Sequence, residues 1–227
     1  MGSSGESGNR SAGVHGEGGR FAPPPRQRPY ETAIRVAYQA LRARELTADR
    51  LSRLGAVPCE EGMRLPALDR HLIIRLDRDE VLVEAAGPAR HDWTLLALHY
   101  LSAVDLSEDQ REVNLNHFAD ARGYLDVYNR RIIGRFLATV GATDAGFRQC
   151  AERLHGVRIP WNGTCFRFFI FPRIPLTVIR YEGDDEYPSG ANIVYRADAE
   201  RLLPAEDRIV AAEVLLNTLS GVPMQRE

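Results

Sequence analysis

Lysine is missing from this chain: all 29 basic residues are arginine. That absence excludes a Schiff-base lysine, a pyridoxal phosphate anchor and the lysine of a P-loop. Cysteine is scarce. Cys59, Cys150 and Cys165 stand far apart, show none of the CxxC spacings of zinc ribbons or iron–sulfur clusters, and are expected to be reduced, mostly buried thiols. No apolar run is long enough to span a membrane, and the Gly, Ser and Arg-rich beginning lacks the apolar centre of a signal peptide. A cytoplasmic protein with no membrane partner is therefore expected, and Asn162-Gly163-Thr164 signals a turn rather than a glycosylation site. The formal net charge of −2 comes from interspersed acids and bases, which leaves no footprint for nucleic acid. The expected partner is a small molecule or another protein.

What is present organises into three parts. Residues 1–28 are rich in Gly, Ser, Arg and Pro and too poor in apolar side chains to offset ordering entropy, so they are expected to be a disordered tail. Residues 29–222 are expected to form a single globular domain, and 223–227 a short second tail. Ala33, Ile34, Ala37, Tyr38 and Leu41 recur at helical period. Thr47 is a candidate cap and Gly55 a candidate stop for a second helix.

His71–Leu76 and Val81–Ala85 read as a β-hairpin around a polar linker, and Asp92 as the cap of a largely buried helix running to about Val104. Val113–Phe118 suggests a short strand. Tyr124–Val140 and Thr143–Leu154 suggest two helices broken at Gly141. Asn162-Gly163 suggests a type I′ turn between the strands Val157–Trp161 and Thr164–Phe171, with Pro160 confining the first of them to an edge. Leu176–Tyr181 and Ala191–Tyr195 extend the same sheet. Asp198 reads as a cap, and Ala205–Leu219 as the closing helix. The fold class expected is α+β, with helices packed on a mainly antiparallel sheet.

The chemistry-bearing residues concentrate between the last two strands. Glu182, Asp184, Asp185 and Glu186 lie on the connecting loop, where they can hold a hard cation, supply a general acid and base, or form a solvated turn. Asp184 and Glu186 are the candidate catalytic carboxylates, and Glu182, Asp184 and Asp185 the candidate metal ligands. His99, an imidazole on an apolar helix face, is either a satisfied core group or a buried acid, base or ligand. Arg173 and Tyr187 are candidate substrate contacts, although Arg173 can equally pair internally. Glu206 and Asp207 fit a first helical turn, where acids meet the dipole favourably. Phe166, Phe168, Phe169 and Phe171 fit a core strand. No GxSxG elbow, HExxH, kinase set or P-loop occurs.

Three segments carry a resemblance: LLALHYLSA at Leu95–Ala103, FPRIPLTVIRYEGDDEYPSGANIVY at Phe171–Tyr195, and LLPAEDRIVAAEVLL at Leu202–Leu216. Together they resemble the domain-of-unknown-function family numbered 3786, found in bacteria and archaea. The resemblance implies no reaction and names no cofactor. A cysteine-rich iron–sulfur segment fused to some members implies a redox or one-carbon setting, and this chain departs from that arrangement because its head holds no cysteine. The function expected is a carboxylate-lined small-molecule or metal-binding enzyme. The alternative is an accessory module that docks on a redox or cofactor-handling enzyme.

Overall fold

A computed structural model describes residues 27–226. The expected N-terminal tail lies outside the described residues except for Gln27 and Arg28, which open α1 (Gln27–Arg42). Ala37, Tyr38 and Leu41 of α1 are buried, as the helical spacing requires. Thr47 caps α2 (Ala48–Arg53), its hydroxyl accepting from the Arg50 N–H, and Gly55 follows at φ +71°.

The first sheet is a five-stranded antiparallel meander of β1 (Val57–Cys59), β2 (Gly62–Ala67), β3 (Arg70–Arg75), β4 (Glu80–Val83) and β5 (Gly87–Pro88). The predicted hairpin is its centre, with Arg75 opposite Glu80. Its alternate side chains Leu65, Leu72, Ile74 and Val83 face the core.

Helix α3 (His91–Ser102) runs through the middle of the molecule, with Trp93, Leu96, Leu98, Tyr100 and Leu101 all buried. Asp92 does not cap it. Arg90 occupies that position, and Asp92 lies two residues on within the first turn, its Oδ1 accepting from the Trp93 N–H and its Oδ2 pairing with Arg90. At the other end Arg44, Arg50 and Arg53 donate to the carbonyls of Ser102, Leu101, Ala103 and Leu106, so guanidinium groups satisfy the terminus where the dipole is negative.

The second sheet holds β6 (Glu112–Asn114), β7 (Val157–Arg158), β8 (Thr164–Phe171), β9 (Ile174–Tyr181) and β10 (Gly190–Arg196) in the order β6-β10-β9-β8-β7, all antiparallel. The strand expected over Val113–Phe118 is shorter, because Leu115–His117 already turns as a 3₁₀ helix. Between β6 and β7 the chain is helical but irregular: α4 (Leu125–Tyr128), a π-helical stretch over Asn129–Gly134, α5 (Arg135–Ala138), then α6 (Asp144–Arg153), which Thr143 caps through the Gly146 N–H. Gly141 is needed for closeness rather than for a left-handed φ, since a Cβ there would sit 2.3 Å from the Phe136 ring.

The Asn-Gly hairpin is corrected by its register. Val157 pairs with Arg167 and Arg158 with Phe166, and the Ile159 N–H donates to the Cys165 carbonyl, so the loop centres on Asn162. Only Gly163 has a positive φ, at +115°, whereas a type I′ turn needs two. A register shift between Phe169 and Phe171 buries Phe166, Phe168 and Phe171 but leaves Phe169 exposed.

The chain closes with α7 (Ala199–Leu202) and α8 (Ala205–Leu219). Asp198 precedes α7 without a side-chain cap bond, because its carboxylate is drawn to Arg173 and Arg196. The segment expected as a tail, 223–227, is tied down over its described residues: Met224 is buried, Gln225 bridges Ala89, and the Arg226 N–H donates to the Pro88 carbonyl. One continuous apolar core joins both sheets and the helices, so the α+β class holds in a single domain. No helix among the described residues is long and apolar enough to cross a membrane.

Candidate functional site

The residues singled out in the sequence fall in three separate places. The acidic loop joins β9 to β10, and Glu182, Asp184, Asp185, Glu186 and Tyr187 are all exposed. Asp184 Oδ1 accepts from the N–H groups of Glu186 and Tyr187, and the Asp184 N–H donates to the Tyr187 carbonyl. The carboxylate thus closes its own turn. Glu182 reaches back toward Arg180 at 3.6 Å. Among the described residues no three His, Cys, Asp or Glu side chains gather with metal-holding spacing, so Glu182, Asp184 and Asp185 do not converge.

Arg173 lies at the opposite end of β9, in the β8–β9 turn. Eight strand residues separate it from the acidic loop, roughly 25 Å at the usual rise. It is buried, donating to the Leu106 and Ser107 carbonyls and pairing with Asp198 at 3.2 Å. Through Nη1 and Nη2 its guanidinium stitches the β8–β9 turn to the loop leading into β6, while Nε has no partner among the described residues.

His99 lies elsewhere again, in a cleft of about 440 Å³ between α1, α3 and α8. The α3 wall supplies Asp92, Leu95, Leu96 and His99. Facing it, α8 and the residue before it supply Pro204, Glu206, Asp207 and Val210, while Tyr30 and Ala33 of α1 close the third side. His99 Nδ1 sits 2.5 Å from Asp207 Oδ2; the histidine side chain is 30% exposed and the aspartate 7%. A carboxylate can only accept, so this contact places a proton on Nδ1 and, in the neutral ring, leaves the lone pair on Nε2, which has no hydrogen-bond partner among the described residues.

The surroundings are acidic and partly apolar. Asp92 is held by Arg90, whereas Glu206 is exposed and has no ion pair among the described residues. Tyr30 stacks on His91 with ring centroids 5.8 Å apart. Burial pushes the Tyr30 hydroxyl up from its ordinary value, and Asp92, Glu213 and Glu206 add to that shift against Arg131. The cleft therefore presents a neutral phenol, an oriented imidazole and three carboxylates. Among the described residues its lining holds no Ser, Thr, Cys or Lys.

Sequence reasoning found His99 and missed its partner. Asp207 fits the first turn of α8 as a dipole acid, and nothing local distinguishes it from exposed Glu206; only the contact across 108 residues does. A second cleft of about 520 Å³ lies on the outer face of the first sheet, where Arg64 donates to Glu84 at 2.8 Å and approaches His71 at 3.2 Å.

Fold and cleft together define an α+β domain with two antiparallel sheets and a histidine-bearing interhelical cleft. The family described as a domain of unknown function (DUF3786) matches residues 47–218, and the chain belongs to it. No curated protein and no solved structure matches the chain.

Proposed function

We propose that this is a cytoplasmic small-molecule enzyme whose site is the α1/α3/α8 cleft, with His99 as the group that moves a proton. The observation that carries the reading is the contact between His99 and the buried Asp207, because a carboxylate on Nδ1 fixes the tautomer and stabilises the imidazolium that forms when Nε2 accepts a proton. Among the described residues the lining offers no hydroxyl, thiol or amine nucleophile apart from the Tyr30 phenol, which favours acid–base chemistry on a bound ligand or water over a covalent intermediate. His99 and Asp207 also fall within two of the segments that carry the family resemblance. Unpaired thiols fit a reducing compartment.

The test is nitrogen NMR of the His99 ring. The neutral ring protonated at Nδ1 is expected in the wild type, with that preference lost in Asp207→Asn. A wild-type ring protonated at Nε2 would remove the proposed base.

Full exposure of the acidic loop favours a second reading, in which the protein is an accessory module and Asp184 to Tyr187 form an electrostatic contact on an open rim. Association with a redox or cofactor-handling enzyme would then weaken when Asp185 and Glu186 are both neutralised, and an unchanged association would exclude the loop as the contact.

A further inference from the structure

The character of the cleft narrows what can occupy it. Its floor is apolar, made by Ala33, Leu95, Leu96 and Val210, while Asp92, Glu206 and Asp207 bring carboxylates from both facing helices. No arginine lines it among the described residues. Arg90, which pairs with the lining Asp92 at 2.5 Å, and Arg131, which pairs with Glu213 at 3.0 Å, are already engaged. An anionic ligand would meet like charge, with no uncommitted cation among the described lining residues to neutralise it.

We infer that the ligand is an organic ammonium ion: an apolar body seated on Leu95, Leu96 and Val210, with its charged head between Glu206 and the His99–Asp207 pair. This rests on the proposed site and adds the class of ligand. An ammonium head donates to the Glu206 carboxylate and to the free Nε2 of His99, the one acceptor the imidazole retains once Asp207 holds Nδ1. Tyr30, 40% exposed at the mouth, offers a ring face of the kind that attracts cations. Burial is the main cause of the upward shift of its hydroxyl, and the further contribution of Asp92, Glu213 and Glu206 agrees with a negative field at that mouth. At about 440 Å³ the cleft is at the small end for ligand sites, suited to a compact amine.

Three probes sharing one phenylpropyl body and differing in head charge test this: phenylpropylammonium, phenylpropanol and 4-phenylbutyrate, titrated at pH 7.5 into the full chain while the Leu95 and Val210 methyl signals and the His99 ring are followed by NMR. The ammonium is expected to saturate those signals with an affinity roughly tenfold or more above the alcohol's, about 1.4 kcal/mol, and the carboxylate to leave them unmoved. Glu206→Gln should bring the affinity of the ammonium close to that of the alcohol. Equal or tighter binding of the alcohol or the carboxylate, or no saturable shift with any probe, would overturn the ligand class. The tautomer of His99, read without ligand, stands or falls separately, so failure here is distinguishable from failure of the proton-transfer site.

Discussion

Asp207, on the first turn of α8, lies 2.5 Å from the ring nitrogen of His99 on α3, and the two burials are unequal: the aspartate side chain is 7% exposed, the histidine 30%. That asymmetry sets an order of costs. His99→Ala leaves the more buried carboxylate without its partner and is expected to lower stability by about 3 kcal/mol, whereas Asp207→Ala leaves an imidazole that water can reach and should cost roughly 1–2 kcal/mol. Urea unfolding of the two variants checks this, and a larger loss for Asp207→Ala would mean the pair is not held as described.

Arg208 and Asp120 are unequal in the same way. Arg208 is 0% exposed, donates to the Leu203 carbonyl at 2.7 Å and lies 4.4 Å from the Phe118 ring centroid, while its ion-pair partner Asp120 is half exposed. Asp120→Ala is expected to cost roughly 1–3 kcal/mol, more than an ordinary surface carboxylate, because the guanidinium it leaves is buried. Adding Arg208→Met should recover much of that loss by removing the charge while keeping most of the side chain's bulk. A double variant less stable than Asp120→Ala would contradict it.

At the β7–β8 turn the strain is confined to one residue. Gly163 has φ +115°, and a Cβ there would stand 2.5 Å from the Arg180 carbonyl oxygen. Gly163→Ala should cost about 1–3 kcal/mol, and Asn162→Ala less than about 0.5 kcal/mol, because Asn162 has no left-handed φ to lose. Comparable melting-temperature losses for both would restore the type I′ turn.

Stability should fall as the solution is acidified through the imidazole range, with His91 as one cause. Burial lowers its affinity for a proton, and Arg226 adds to this against Glu31 and Asp92. The unfolded chain then takes up the proton first, so the contribution is complete above about pH 6.5 and is lost as the pH falls through the lower folded value. His91→Gln should flatten the dependence of the urea midpoint on pH between about 7 and 5, and an unchanged slope would exclude His91 as a source.

The three thiols should react in a definite order. Cys165 is 1% exposed and burial pushes its thiol up to about 11, whereas Cys59 and Cys150 are half-buried. In the native protein Cys165 is expected to be the last modified by a disulfide reagent, by at least about tenfold in rate. This also corrects the expectation that all three are mostly buried.

The elements legible in the sequence were those whose pattern is local. Helix α1 keeps Ala37, Tyr38 and Leu41 on one face, and Thr47 and Thr143 cap where hydroxyls precede helical spacing. The long strands β9 and β10 follow from their β-branched runs. Strands β1 and β2 did not announce themselves, because Pro58, Gly62 and Pro66 disfavour strands, and pairing of β1 with β2 and of β2 with β3 is what makes them strands. Asn162-Gly163 misled for a related reason: the dipeptide tolerates a type I′ turn, but the pairing of Val157 with Arg167 sets a longer loop.

Composition and periodicity alone determined the α+β class, the exclusion of lysine chemistry, the placement of the acidic loop between two strands and the apolar face that carries His99. These follow from side-chain volume, charge and spacing, which act over a few residues. Tertiary structure decided the site. It separated Arg173 from the acidic loop by the length of β9, drew Asp198 away from its helix to Arg173 and Arg196, and carried Asp207 across 108 residues to His99. Hydrogen bonds and ion pairs of this kind depend on which helices pack together, and that packing is set by the whole apolar core rather than by any one segment.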